Sequence, residues 1–402
     1  MPVSSSYDVI VIGGGIAGSC MAGVLARNGH GVLVVEKEAA FRDRIRGEGT
    51  WPWGVVEARR AGLGELLDRV SNPMQGMTRY VDGEIAEVEW SVDPETTPPV
   101  FGFSHPHLQS EAFAWAAAQG ATMLRPVKAI SFARNSRPRV RVDHDGQVFD
   151  VTARLVIGAD GKHSMCRRWT GGESQTDPEC HRMGGVALHG ASIDRSIDSY
   201  WWRDSEAVNW FAAGPDRTRL YLIMTAQRLR ETGVDRSFDA LLAYAAQEMP
   251  EGSLAGAEQI GPIGYFSCSD TWGSVVAGND VVLIGDAAGS PDPSRGHGTS
   301  MVYHDVRHLA DLLTSEKVAN WTSATAAFSA VREQNFATIR EWDRWHIPNF
   351  ERSDSAARLR EAHHRAQLAD PTMGGFAFIE RTGPYGLVAD EAARRHFYGE
   401  DL

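Results

Sequence analysis

Three glycines, Gly13, Gly15 and Gly18, stand between an apolar run, Tyr7-Asp8-Val9-Ile10-Val11-Ile12, and a helical pattern from Cys20 to Asn28. In a G-x-G-x-x-G turn of this kind the first glycine makes the tight bend. The second lets backbone amides approach a pyrophosphate, and the third allows close helix packing with the helix N-terminus facing the anion. Glu36 closes a second apolar run, Val32-Leu33-Val34-Val35, where a carboxylate can accept both hydroxyls of a ribose. The chemistry is the binding of an ADP-containing dinucleotide. NAD and FAD are equal candidates at this point, because both carry ADP.

Two further constellations follow apolar runs in the same way. Leu155-Val156-Ile157 leads into Gly158-Ala159-Asp160-Gly161-x-x-Ser164-x-x-Arg167, and Val281-Val282-Leu283-Ile284 into Gly285-Asp286-Ala287-Ala288, then Pro293, Gly296 and Gly298. The helix that follows carries Asp305 and Leu309. β-Branched runs without alternation predict strands buried on both faces of a parallel sheet, and the first thirty-odd residues read as a βαβ unit. Residues 55–70 and Glu111–Gln119 read as helices, and 138–157 as a hairpin turning at Asp145-Gly146. From Gly184 to Thr225 the pattern changes to aromatic-rich strands of an antiparallel sheet. A helix is predicted near 236–248, and the chain is mainly helical from Ile284 to about residue 370.

The three constellations, in this order and spread from residue 13 to 309, resemble the single-component flavoprotein aromatic hydroxylases, the p-hydroxybenzoate-hydroxylase-like group A flavoprotein monooxygenases. The resemblance implies an α/β fold with a FAD-binding, Rossmann-like domain of the glutathione-reductase type, an inserted antiparallel-sheet substrate domain and a helical C-terminal region. The corresponding bounds are 1–75, 101–178 and 275–345 for the FAD domain, 76–100 and 179–274 for the substrate sheet, and 346–402 for the C-terminal region. Expected FAD contacts are Gly13, Gly15, Ile16, Ala17, Gly18, Glu36, Lys37, Arg46, Gln109 (or His105), Asp160, Gly285, Asp286, Pro293, Gly296, Gly298 and Thr299. The implied activity is hydroxylation of a small aromatic or conjugated substrate by NADPH or NADH and O2, through a C4a-hydroperoxyflavin. The nicotinamide would bind transiently, since the sequence has no second G-x-G-x-x-G. Trp201, Trp210 and Tyr221 are the expected substrate contacts, and His189, Tyr221 and Pro293 the catalytic candidates.

Two positions depart from the family pattern: Gly289 stands where a His is usual, and Ser300 where an Asn is usual. A glycine at the first resembles the geranylgeranyl-reductase-like and flavin-halogenase branches, so an isoprenoid double-bond reductase is the alternative activity. A halogenase would need a Trp-x-Trp-x-Ile-Pro block ahead of Gly285, and the nearest match, Trp345-His346-Ile347-Pro348, lies after it. From another class, a FAD-bearing redox regulator without turnover is the remaining alternative.

Composition narrows the field further. The chain has 402 residues, 40 basic and 52 acidic side chains and a net charge of -12, with no basic run to attract a nucleic-acid backbone. The four cysteines are widely spaced, which fits a reducing cytoplasm rather than a disulfide or zinc framework. His304-x-x-x-His308 has helical spacing but no adjacent Glu of a zinc protease, so no metal is expected. No stretch has 18 uninterrupted apolar residues, so no membrane span is expected either, and the state expected is monomer or homodimer. Gly is 41 of 402 residues, and the three loops hold about a quarter of them.

Overall fold

The computed structural model describes residues 4–81, 84–90, 93, 95, 97–315, 320–369 and 378–400. Val9–Ile12, Val32–Val35 and Leu155–Gly158 are wholly buried strands at the centre of a six-stranded sheet. Thr122–Leu124 extends it on one edge, and Val281–Leu283 followed by Ala277–Gly278 on the other. All pairs are parallel except the last. Each apolar run therefore delivers the loop that follows it to the same, carboxyl edge of the sheet, where ligands bind in open α/β folds. The helices Ile16–Arg27 and Gly298–Thr314 pack on this sheet to build the largest hydrophobic cluster.

The second sheet has eight strands. Glu258–Gln259, Arg182–His189, Thr218–Met224, Glu206–Ala212, Ile197–Arg203, Gly76–Val81 and Glu84–Trp90 follow in spatial order, and Gly264–Ser267 also pairs with Arg182–His189. Its pairs are antiparallel except Ile197–Arg203 with Gly76–Val81, a parallel junction that brings in the early segment. The fold is thus α/β, a FAD-type sheet carrying a mainly antiparallel second sheet, with a helical C-terminal region.

Alternation along these strands sends successive side chains to opposite faces. One face, here called outer, packs Val186, Val208, Trp210, Leu220 and Leu222 against the helices Ala226–Thr232 and Phe238–Ala245. The inner face packs Met183, Ala207, Phe211, Tyr221 and Ile223 against Ile45, Met74, Cys268 and Phe350. The expected helix over 55–70 is two helices, Pro52–Arg60 and Gly64–Val70, because Gly62 takes a φ of 73° between them. The C-terminal helices Asp354–Ala369, Phe378–Thr382 and Glu391–Phe397 close a tryptophan-rich cluster that includes Trp51, Trp53, Trp342 and Trp345.

Candidate functional site

The glycines of the first loop are required by contact. A Cβ on Gly13, whose φ is 101°, would lie 2.4 Å from the Ala159 carbonyl oxygen, and one on Gly18 would lie 1.9 Å from that of Gly13. Gly15 instead opens toward Gln109, whose Nε2 would be 3.6 Å from a Cβ there. Glu36 is buried, with Oε2 accepting from the Gly14 amide at 2.7 Å and Oε1 from the Glu38 amide at 2.7 Å. Two backbone bonds fix the carboxylate and leave lone pairs for ribose hydroxyls. Ile16 is buried at the helix start, while Lys37 is exposed.

The second loop meets the first and third. Asp160 Oδ2 accepts from the amides of Met165 and Cys166, and Oδ1 is buried with no partner. An acceptor left over in this way is what a hydroxyl of the cofactor would satisfy. Arg167 is buried and donates to the carbonyls of Asp286 and Ala287, both at 2.9 Å. Ala17 lies under Gly285, where an added Cβ would approach it to 3.0 Å. Behind the third loop, Asp305 accepts from the Gly285 amide at 2.8 Å and from Arg332 at 2.9 Å. Burial raises the Asp305 carboxyl, but Arg332 and His304 together outweigh it and hold it below the usual range.

Pro293, Gly296 and Gly298 are partly exposed, whereas their neighbours Asp292, Ser294, Arg295 and His297 are buried. Open space lies where a Cβ on Gly298 would stand, and a 17-residue helix starts there with its N-terminal positive potential. Thr299 gives its hydroxyl to the Gly49 carbonyl. The open Asp160 Oδ1 and the fixed Glu36 carboxylate fit the hydroxyl-bearing FAD that the resemblance implies.

The two departures now have physical reasons. A Cβ on Gly289 would lie 3.0–3.1 Å from the Phe336 ring, and the Gly289 carbonyl is taken by Arg332. Ser300 is packed so closely on Gly54 that a Cβ there would meet its Oγ at 2.4 Å, which leaves no space for a longer amide.

Arg46 is exposed on the segment 43–49, whose Ile45 packs on the inner face. That segment is fastened by the fully buried Glu48–Arg219 pair, by Asp43 with Arg217, and by Tyr221, whose hydroxyl donates to the Arg46 carbonyl. Ile45 sits in it at a φ of 52°, which is strained for a β-branched residue. Gly47 and Glu48 in turn tie His105, through its Nδ1 and its amide, leaving Gln109, one turn later, beside Gly15. Burial drives the His105 imidazole down to about 4, so it stands neutral.

Alternation divides the expected substrate contacts between the two faces. Trp201 and Trp210 are both on the outer face, stacked on Tyr80 with centroids at 5.0 and 6.3 Å. Their neighbours Tyr200, Trp202 and Phe211 are on the inner face, with Tyr221. His189 is exposed at the far end of its strand and bonded to the Asp216 carbonyl. It is the residue before that strand's other end, His181, that meets the third loop. His181 Nε2 lies 2.9 Å from Ser294 Oγ and 3.1 Å from Asp292 Oδ2.

Sequence reasoning passed over His181 and Asp292, and also Asp198, a buried inner-face carboxyl bonded to Asn209 that burial pushes up to about 7. The available signal was an Asp beside a proline of the third constellation. His304 serves packing, bonded to Asp305 and Asn335. Among the described residues, one group with metal-ligand chemistry, His181, Cys268 and Asp292, has its ligand atoms within 4.8 Å of one another. Among the described residues, no helix is long and apolar enough to cross a membrane.

Menaquinone reductase of Mycobacterium tuberculosis is 28% identical over 352 residues, covering 81% of each chain. P. aeruginosa PqsL in complex with 2-aminobenzoylacetate superposes with a TM-score of 0.72 at 22% identity, covering 86% of this chain and 97% of its own. The myxobacterial chondrochloren halogenase CndH gives a TM-score of 0.74 at 18% identity over 99% and 98%. These last two likenesses are likenesses of fold. Residues 6–320 match the family described as FAD binding domain, and the chain is therefore a member of that family, a flavoprotein oxidoreductase.

Proposed function

We propose that this protein is a FAD-dependent monooxygenase that uses NAD(P)H and O2 to hydroxylate a small aromatic or conjugated substrate lying between the 292–298 loop and the inner face of the larger sheet. The observation that supports the reading is the contact of the 292–298 loop with the end of the aromatic-bearing sheet, where His181 Nε2 lies 2.9 Å from Ser294 Oγ. The 2-aminobenzoylacetate held by PqsL supports an aromatic acid as the substrate class.

When bound, FAD supplies the redox chemistry, and the protein supplies orientation and electrostatics. Glu36 and the amides at the start of Ile16–Arg27 hold the adenosine and diphosphate end. Asp160 and Asp286 orient the ribityl chain, Asp160 through its open Oδ1. Pro293 to Gly298 supply backbone and a helix N-terminus to the ring, a position at which negative charge is favoured. Met183, Ile223 and Phe211 present an apolar wall that excludes water from the substrate. Tyr221 is a fastener of the 43–49 segment, since its hydroxyl is given to Arg46 and burial pushes its ionisation well up.

A second reading, a FAD-dependent reductase of a conjugated double bond, is favoured by Gly289 and by the menaquinone reductase relative. One assay separates the two. Purified yellow protein is given NADPH or NADH with candidate aromatic acids, phenols and quinones, and O2 uptake and product mass are followed. Monooxygenation consumes O2 and adds about 16 mass units, one oxygen atom, whereas reduction adds about 2 without coupled uptake. Protein that binds FAD but is never reduced by either nicotinamide would refute both.

A further inference from the structure

The outer face of the larger sheet holds a cavity of about 80 Å³, and among its described lining residues none belongs to the three flavin loops. At roughly 10–15 Å³ for each water-sized occupant, the space takes about five to eight heavy atoms. The hairpin of Ile197–Arg203 and Glu206–Ala212 contributes Trp201, Arg203 and Glu206. Arg228 comes from the helix Ala226–Thr232, Glu248 from the turn after Phe238–Ala245, and Arg352 from the stretch after Phe350. Strand register puts this hairpin tip at the end of the sheet that meets the 292–298 loop, since Ala207 pairs with Ile223 and Ile223 with Met183, two residues from His181. Phe350 spans the same end, stacked on His181 and tilted on Trp202.

The acids of this cavity are buried and its arginines reach outward. The side chains of Glu206 and Glu248 are each 9% exposed, against 51%, 31% and 49% for Arg203, Arg228 and Arg352. Glu206 Oε1 accepts from Arg228 Nε at 2.6 Å and also from Arg352, so one buried carboxylate serves two guanidiniums and leaves a positive charge unspent. Glu248 neutralises Arg203 at 2.8 Å. Two further acids, Asp204 at the hairpin tip and Glu231 at 3.5 Å from Arg228, are exposed, where solvent screens them. Buried carboxylates that lock the guanidiniums in place prepare their outer edges for a ligand. A guanidinium has five N–H donors, and the bonds here, including Arg352 Nε to Ser205 Oγ at 3.0 Å, engage one or two nitrogens of each.

We propose that this cavity is a phosphate-binding site in which Arg203, Arg228 and Arg352 hold one phosphate group. Three guanidiniums from separate elements can meet three oxygens of a tetrahedral group, whereas a planar carboxylate offers two. The group is inorganic phosphate or the phosphomonoester of a larger molecule. The place of the cavity, at the flavin-loop end of the sheet, makes the 2′-phosphate of NADPH one source, which the test separates from free phosphate. Binding here does not depend on whether the flavin hydroxylates or reduces its substrate, and no covalent step is assigned to the site.

The FAD-loaded full chain, whose dinucleotide loop is filled, is titrated with inorganic phosphate by calorimetry, against sodium chloride of equal ionic strength. One phosphate per chain is expected. Arg352→Gln, which leaves Arg228 on Glu206, should weaken binding about tenfold, as should Arg203→Gln, and Arg352→Lys should recover part of the loss by restoring the charge. Melting temperatures establish that the variants are folded. NADP+ and NAD+ are then added as competitors: displacement by NADP+ alone identifies the 2′-phosphate, and displacement by neither identifies free phosphate. Heat no greater than that of chloride, unchanged affinity in either glutamine variant, or equal displacement by both nucleotides would each overturn the site. Flavin reduction by NAD(P)H, measured on the same samples, tests the function separately, so a failure of the one is read apart from a failure of the other.

Discussion

Replacing Arg332 by Met removes the buried cation that holds the third FAD loop from behind. Arg332 is 1% exposed and Asp305 is 0% exposed, so neither charge can be rescued by water. The guanidinium donates to Asp305 and to the Gly289 carbonyl at 2.9 Å, and stands 5.2 Å from the Phe336 ring centre. Breaking a buried pair by deleting one partner costs about 3–5 kcal/mol, because an unpaired charge is left in the interior. At roughly 2–4 °C per kcal/mol for a cooperative unit of ~200 residues, the melting temperature should fall by about 6–20 °C.

The double variant Arg332→Met with Asp305→Asn removes both charges, and should be less destabilised than the sum of the single variants by about 2–3 kcal/mol. Acid dependence gives a second reading of the same pair. Asp305 is held below its ordinary value, so the stability it contributes is complete above the unfolded carboxylate pKa of about 4 and is lost as the pH falls through the folded value. Thermal unfolding between pH 7 and pH 3, with and without FAD, measures both. Additive single variants, or an Arg332→Met loss below about 1 kcal/mol, would refute the argument that this pair anchors the loop.

Gly289→Ala should cost about 1–3 kcal/mol by overpacking on Phe336, with much of the loss recovered by adding Phe336→Leu, as read by chemical unfolding. Glu36→Ala should weaken FAD at least about tenfold, seen as release of flavin fluorescence on dilution, without altering the fold by circular dichroism. Asp198 is raised to about 7, so its contribution to stability is complete below the unfolded pKa of about 4 and is lost as the pH rises to about 7. Asp198→Asn should flatten that decline in a pH series of melting temperatures, and a series identical to wild type would refute it.

The FAD side of the molecule was legible because its signals are local. A buried strand, a glycine turn and a helix or carboxylate follow one another within a few residues, and their contacts, such as the Gly18 approach to Gly13, are short-range. The substrate side was not, because its meaning depends on strand register. Trp210 and Phe211 are adjacent and both aromatic, yet one packs on helices and the other on the opposite face with Tyr221 and Ile45. Composition identifies an aromatic sheet, whereas a single-residue shift reverses every face. His189 and His181 bracket one strand, and only the topology says which end meets the flavin loop.

The same distinction changes the meaning of the shared motif letters. Arg167 bonds the carbonyls of Asp286 and Ala287, and Asp305 bonds the Gly285 amide. Two of the charged positions in the second and third constellations therefore address the protein itself. They fix the loops that carry Asp160 and Asp286 relative to one another. Arg332, which belongs to none of the constellations, completes this frame, and its bond to the Gly289 carbonyl leaves position 289 packed against Phe336. The absence of a histidine at 289 is consequently a packing solution.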